Sequence, residues 1–248
     1  MIRDKRRKKK RKMRALLIFL FICLFLALAA LVVVKVFQVK KVEVTGNKLY
    51  GNEQIEKWVL NDEYSWNSLY VYLKYRFFDT EEVPFIDTME VGIKIPQTIT
   101  IRVYEKGLLG YLYIDTIGQN VYFDKDGFVV ETSSEVIEDV PRITGLTCNQ
   151  VVLYEKLDLE NKNALRNLLS VTQTLKKYSL VPDSIAYGGN GDIGLNYGAV
   201  TVSMGTVENL TEKVKRLEKI MPKLEGMSGT LHLEEWSEET TDITFEKA

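Results

Sequence analysis

The segment Lys41–Ile55 reads KVEVTGNKLYGNEQI, and it sets the class of the fold. Val42 and Val44 alternate with Glu43 and Thr45, the period of a strand with one buried face. Gly46-Asn47 then breaks the strand, and Asn52 stands where a helix cap belongs, with Ile55 as the first apolar residue after it. A strand, a turn and a helix start thus fill one short stretch in which no residue type points to catalysis.

Immediately upstream, Ala15–Val34 is twenty residues long, carries no charge and has no side chain more polar than Cys23. At about 1.5 Å per residue such a helix spans roughly 30 Å, the hydrocarbon thickness of a bilayer. Of the 33 basic and 34 acidic residues, ten and one fall in residues 1–14, leaving 23 and 33 and a net charge of −10 for the remainder. The positive-inside rule therefore puts the N-terminus in the cytoplasm and the bulk of the chain outside. Ala27-Leu28-Ala29 resembles a signal-peptidase site, but apolar residues continue through Val34, so a retained anchor is expected. A basic cluster beside a membrane-length run does not call for a nucleic-acid partner. Cys23 lies in the apolar run and Cys148 is the second of two cysteines, so an intramolecular disulfide is not expected.

Downstream of Lys41, apolar spacing predicts a helix over Asn52–Asn61 and another from Ser68 with Leu69, Tyr72, Leu73 and Phe77 on its buried face. Strands follow at Met89–Ile95 and Ile99–Val103 around Pro96-Gln97. The order strand, helix, helix, strand, strand predicts a three-stranded sheet packed on two helices. From Gly107 the texture changes to short strands. Tyr111–Tyr113, Val121–Phe123 and Phe128–Val130 surround an Asp-Gly turn. A helix fits Glu160–Tyr178, strands fit Ile185–Tyr187, Ile193–Tyr197 and Val200–Met204, and a helix fits Glu208–Leu224. Strands at Leu231–Trp236 and Ile243–Phe245 close a mixed, mainly antiparallel α/β domain. The expected fold class is α+β. The expected boundaries are a basic tail at 1–14, a membrane helix at 15–36, a small domain at 37–106, a larger one at 107–245 and a tail at 246–248.

Several catalytic or ligand motifs fail on context. Gly189-Asn190-Gly191-Asp192-Ile193-Gly194 matches the dinucleotide glycine pattern, but strands rather than a helix follow it, so it reads as a hairpin. Asp124-Lys125-Asp126-Gly127 lacks the later bidentate Glu of a calcium loop. His232, the one histidine, sits in a strand without metal-ligand spacing. Ser-x-x-Lys is absent, and Glu234-Glu235 and Glu238-Glu239 are adjacent carboxylates in an acidic turn. No catalytic, cofactor or metal site is expected. The alternative is a membrane-anchored cell-wall enzyme whose carboxylates do not form a recognisable pair.

In motif order the chain resembles the bacterial division proteins of the FtsQ/DivIB family. The resemblance rests on VKKVEVTGN at Val39–Asn47 and on VPFIDTMEVGIKIPQTITIRVYEK at Val83–Lys106. Phe123-Asp124-x-Asp126-Gly127, Pro141–Gly145, Val200–Gly205, Lys213 with Leu217, and Leu231-His232-Leu233 continue it. It implies a POTRA domain at 37–106 and a family β domain at 107–245, held at the septum by a single span. It also implies a non-enzymatic scaffold role in the cell cycle. The implied partners are FtsB/DivIC-like and FtsL-like single-span proteins and the septal peptidoglycan synthase complex, with the lipid bilayer around residues 15–36. Contact by strand addition is expected at the C-terminal sheet edge, through Leu231, His232, Leu233, Trp236, Ile243 and Phe245. Where relatives often carry Asp in the penultimate strand, this chain has His232. Trp236 and Phe245 read equally as partner anchors or as closure of the domain's own core. Gly46 and Asn47 read as recruitment contacts or as a turn that the fold requires.

Overall fold

A computed structural model describes residues 2–78, 80–236 and 243–248, without side-chain detail for residues 2–11 and 162. The adjacent Glu238 and Glu239 lie outside the described residues. The fold is mixed α+β: an N-terminal apolar helix followed by a sheet-rich region. Helix α1 runs from Ile2 to Val36, and Lys12–Val36 is long and apolar enough to cross a membrane. The chain divides into two compact units, Met1–Glu105 and Lys106–Ala248.

In the first unit, β1 (Lys41–Thr45) is followed by α2 (Asn52–Val59), α3 (Ser68–Phe77), β2 (Ile86–Ile95) and β3 (Thr98–Glu105). The three strands form a sheet in the order β1-β3-β2, with β1 parallel and β2 antiparallel to β3. Its core is Ile55, Val59, Val71, Ile86, Ile99, Ile101 and Val103. Two local expectations are corrected. Asn52 is not the cap: Gly51 holds that position, and Asn52 Oδ1 instead accepts a 2.8 Å bond from Asn47 Nδ2. Nor does α3 bury its most apolar stripe. Leu73 is 39% and Phe77 72% exposed, while Ser68 and Val71 are buried. The reason is Ser68, whose hydroxyl hydrogen-bonds the carbonyls of Phe37 and Pro96 and whose amide donates to Phe37 O at 2.7 Å. Satisfying those backbone groups turns the Ser68–Val71 side of the helix inward.

The second unit opens with the meander β4 (Gly110–Ile114), β5 (Gln119–Phe123) and β6 (Val129–Ser133), then β7 (Arg142–Thr144). A small ribbon follows, β8 (Cys148–Gln150) with β9 (Asp158–Leu159), leading into α4 (Lys162–Lys177). Asn161 caps α4 by accepting from Asn163 N at 3.0 Å. Strands β10 (Ser184–Tyr187), β11 (Ile193–Tyr197) and β12 (Val200–Gly205) precede α5 (Leu210–Ile220). Helix α5 ends four residues before the expected Leu224, in a 3-10 turn at Met221–Lys223 that contains Pro222. Strands β13 (Gly229–His232) and β14 (Thr244–Lys247) complete the unit. Among the described residues the main sheet has nine strands in the order β14-β13-β12-β11-β10-β7-β4-β5-β6. The pairs β12-β13, β7-β10 and β4-β7 are parallel and the other neighbours antiparallel. Leu168, Val171 and Leu175 of α4 and Val214 and Leu217 of α5 pack with Val121, Ile185, Leu195, Val202 and Leu231 in one core. Glu246 and Lys247 belong to β14, and Ala248 N donates to Ser228 O at 3.1 Å.

The rotated face of α3 has a direct test. Val71→Ala should cost about 2 kcal/mol through lost burial, whereas Phe77→Ala should stay within about 0.5 kcal/mol. Urea unfolding of the full chain in micelles, followed by tryptophan emission, compares the two.

Candidate docking surfaces

The two outer strands of the large sheet are treated differently. Along β6, the chain at Tyr154–Leu157 supplies partners: Val129 N donates to Glu155 O at 2.8 Å, and Tyr154 N donates to Val129 O at 2.8 Å. Leu157 N adds a 2.9 Å bond to Gly127 O, and Lys106 Nζ donates to Val130 O at 3.0 Å. At the opposite side, β14 pairs only with β13 among the described strands. Ala248 N to Ser228 O sets the phase of that ladder, so Thr244 and Glu246 bond inward and the backbone groups of Phe245 and Lys247 point away from β13. Unpaired amides and carbonyls on an outer strand are a template for another chain.

The sequence-derived site residues divide around this edge. Leu231 and His232 are on β13, which is flanked by β12 and β14 and is therefore an inner strand, not an exposed edge. β13 ends at His232. Leu233 and Trp236 follow in a turn in which Leu233 N donates to Ser203 O at 2.8 Å. Leu231, Leu233 and Trp236 are all buried, with the Arg216 guanidinium 6.0 Å from the Trp236 ring. Ile243 and Phe245 are half-buried against the same core. Their side chains close the domain, and among the described residues no strand covers the outer backbone of β14.

Three features hold that backbone in place. Gly229 has a positive φ, and a Cβ there would lie 2.1 Å from Glu246 O, so only glycine lets β14 approach. Lys213 on α5 is 2% exposed, and its ammonium donates to Met204 O at 2.8 Å, Glu234 O at 3.3 Å and Thr206 O at 3.4 Å. It clasps the end of β12 to the turn after β13, and burial lowers its pKa. Finally, His232 Nδ1 lies 2.8 Å from Glu234 Oε1 and Nε2 lies 3.7 Å from Glu246 Oε2. The hydrogen bond to Glu234 raises the imidazole pKa. For Glu234, burial is the largest single influence and pushes upward, but the bonds from His232, its own backbone and Ser203, with the charge of His232, together prevail and the carboxyl is lowered. The cluster bridges β13 and β14.

Gly46 and Asn47 are engaged by the fold itself. A Cβ on Gly46, at φ +87°, would lie 2.4 Å from Val103 O. Asn47 Nδ2 donates to Tyr50 O and Asn52 Oδ1, both at 2.8 Å. The glycine pattern at 189–194 spans the turn between β10 and β11, closed by Gly188 N to Asp192 O at 2.8 Å. Asp124 Oδ1 accepts from Asp126 N and Phe128 N, each at 2.9 Å, as turn chemistry. Among the described residues no group of three His, Cys, Asp or Glu side chains could hold a metal.

A site that spacing did not reveal lies where α1 meets the first unit. Asn67 Oδ1 caps α3 by accepting from Tyr70 N at 3.0 Å, while its Nδ2 donates at 2.9 Å to Val33 O in the last turn of α1. Val39 N donates to Trp66 O at 2.8 Å, and Lys40 N to Gln97 O at 2.9 Å. The run Ser65, Asn67, Ser68 is buried although polar. A cluster of capping residues directly after an acidic turn is the only hint that the sequence offers. No protein-family model matches the chain, and no curated protein matches it.

Two outcomes follow from this edge. Lys213→Met should destabilise the second unit by about 1–3 kcal/mol, because the carbonyls it bridges lose a buried donor. Urea unfolding and faster amide exchange at Leu233–Trp236 report it. Because the His232 pKa is raised on folding, its contribution to β13–β14 pairing is complete below the ordinary histidine value and is lost as pH rises through the raised one. Amide exchange at Thr244 and Glu246, corrected for intrinsic rates, should therefore accelerate between about pH 6 and 8. That acceleration should vanish in His232→Gln.

Proposed function

We propose that this protein is a division-site scaffold of the FtsQ/DivIB type, anchored through α1 and working by contact outside the membrane. In this reading the strand-helix-helix-strand-strand unit is a POTRA domain and the second unit is the family's β domain. The span sets the N-terminus in the cytoplasm and the bulk outside, at the septum. The observation that carries the reading is the asymmetry of the large sheet: β6 is covered by the chain's own Tyr154–Leu157 segment, while β14 presents outward backbone groups.

The partner on β14 is the extended segment of an FtsB/DivIC-like single-span protein, with an FtsL-like protein and the septal peptidoglycan synthase complex recruited through it. Strand addition supplies affinity from main-chain bonds and specificity from alternate side chains. Lys247→Pro tests this, since it removes an outward donor without removing a bond to β13. The variant should fold as the native chain does by circular dichroism and should lose most capture of the FtsB/DivIC-like partner. Undiminished capture would rule out β14 as the docking edge. A fluorescent fusion that stays away from midcell in dividing cells would rule out the division role itself.

A further inference from the structure

The loop before α3 holds two large aromatic side chains in the open: Tyr64 is 54% and Trp66 44% exposed. Neither is there because the loop is slack. Asp62 organises it through four bonds, accepting at Oδ1 from Tyr64 N (3.0 Å) and Ser65 Oγ (2.9 Å), and at Oδ2 from Tyr70 Oη (3.0 Å) and Lys74 Nζ (2.7 Å). Burial would raise the Asp62 pKa, but these donors prevail and hold it at about 2. The loop is therefore pinned with its aromatic side chains outward.

Its position along α1 is fixed as well. The apolar run Ala15–Val34 covers about 30 Å as a helix, the full hydrocarbon depth, so the Val33 carbonyl marks its outer boundary. Asn67 Nδ2 is 2.9 Å from that carbonyl, and Trp66 O accepts from Val39 N at 2.8 Å. The backbone of Trp66 and Asn67 thus stands within a side-chain length of the boundary. Ile95, 58% exposed, ends β2 just before the Pro96-Gln97 turn, whose Pro96 carbonyl accepts from Ser68 Oγ. Amphipathic aromatic rings favour the layer between headgroups and acyl chains, and flanking lysines such as Lys35 and Lys40 suit its polar side.

We infer that Tyr64, Trp66 and Ile95 rest in the interfacial layer of the lipid bilayer at the C-terminal end of α1 and hold the first unit against it. The inference rests on α1 spanning the membrane, as in the reading above, but not on the division role. The bilayer is the occupant because the loop is bonded to the span itself.

The test reconstitutes the full chain in phosphatidylcholine vesicles and separates inserted protein by flotation. Emission is compared in vesicles of unlabelled lipid, lipid brominated near the headgroup and lipid brominated near the chain end. Subtracting the Trp66→Phe spectrum isolates Trp66. The expected result is a blue-shifted Trp66 component that shallow bromines quench more strongly than deep ones. Chain that floats while its Trp66 component is unaffected by bromine overturns the contact and leaves the span standing. A shielded but unquenched Trp66 overturns it in favour of a protein neighbour. Chain that fails to float removes the span and the contact together.

Discussion

One side-chain amide joins the apolar helix to the first folded unit. Asn67 turns its oxygen to the start of α3 and its nitrogen to the end of α1, so a single planar group bonds to both helix termini. Helix ends leave carbonyls and amides without intrahelical partners, and burying them unmet costs about 1–3 kcal/mol each. Here the Asn67 side chain meets Tyr70 N and gives Val33 O a second, shorter bond beside the 3.4 Å one from Phe37 N. The short connection from Phe37 to Lys41 is bonded along its length to Trp66, Ser68 and Gln97. A flexible linker would let the unit tumble about its anchor; this connection fixes the direction in which the unit leaves α1.

The second unit shows the opposite economy at its sheet margins. Natural sheets suppress free edges because an open edge recruits strands indiscriminately. The β6 side follows that rule, with Val129 enclosed by Glu155 and Tyr154. The β14 side is short and carries Glu246 and Lys247, charges that discourage self-pairing, and among the described residues no further strand pairs with it. Its position depends on groups behind it: Gly229 for close approach, Lys213 for the turn, and His232 with its carboxylates for the pairing with β13. An edge so restrained presents its bonding groups in one geometry, which lowers the ordering cost of docking.

Much of this was legible in the residues. Period-two alternation located β1, β2 and β3, and Asp-Gly and Gly-rich turns placed the hairpins because those patterns are local. The face of α3 was not legible, since hydrophobicity favours Leu73 and Phe77 while the contacts of buried Ser68 decide. Nor could spacing tell which terminal strand is outermost. Leu231-His232 alternates like an edge strand, but its place follows from a parallel crossover through α5 back to β12, a non-local fact. Gly51 displaced Asn52 as cap because Asn52 was already claimed by Asn47. Asn67 went unread for a related reason: its second partner, Val33, lies 34 positions away.

The shortness of β14 bears on how such a surface could work. Within the described residues the outward groups of Phe245 and Lys247 can make only a few main-chain bonds, each worth about 1 kcal/mol net. In free solution, association also loses translational and rotational freedom costing several kcal/mol or more, so that few bonds leave little surplus. Membrane tethering changes the comparison. Two single-span chains in one bilayer meet at an effective concentration that can reach the millimolar range, which turns a marginal contact into an occupied one.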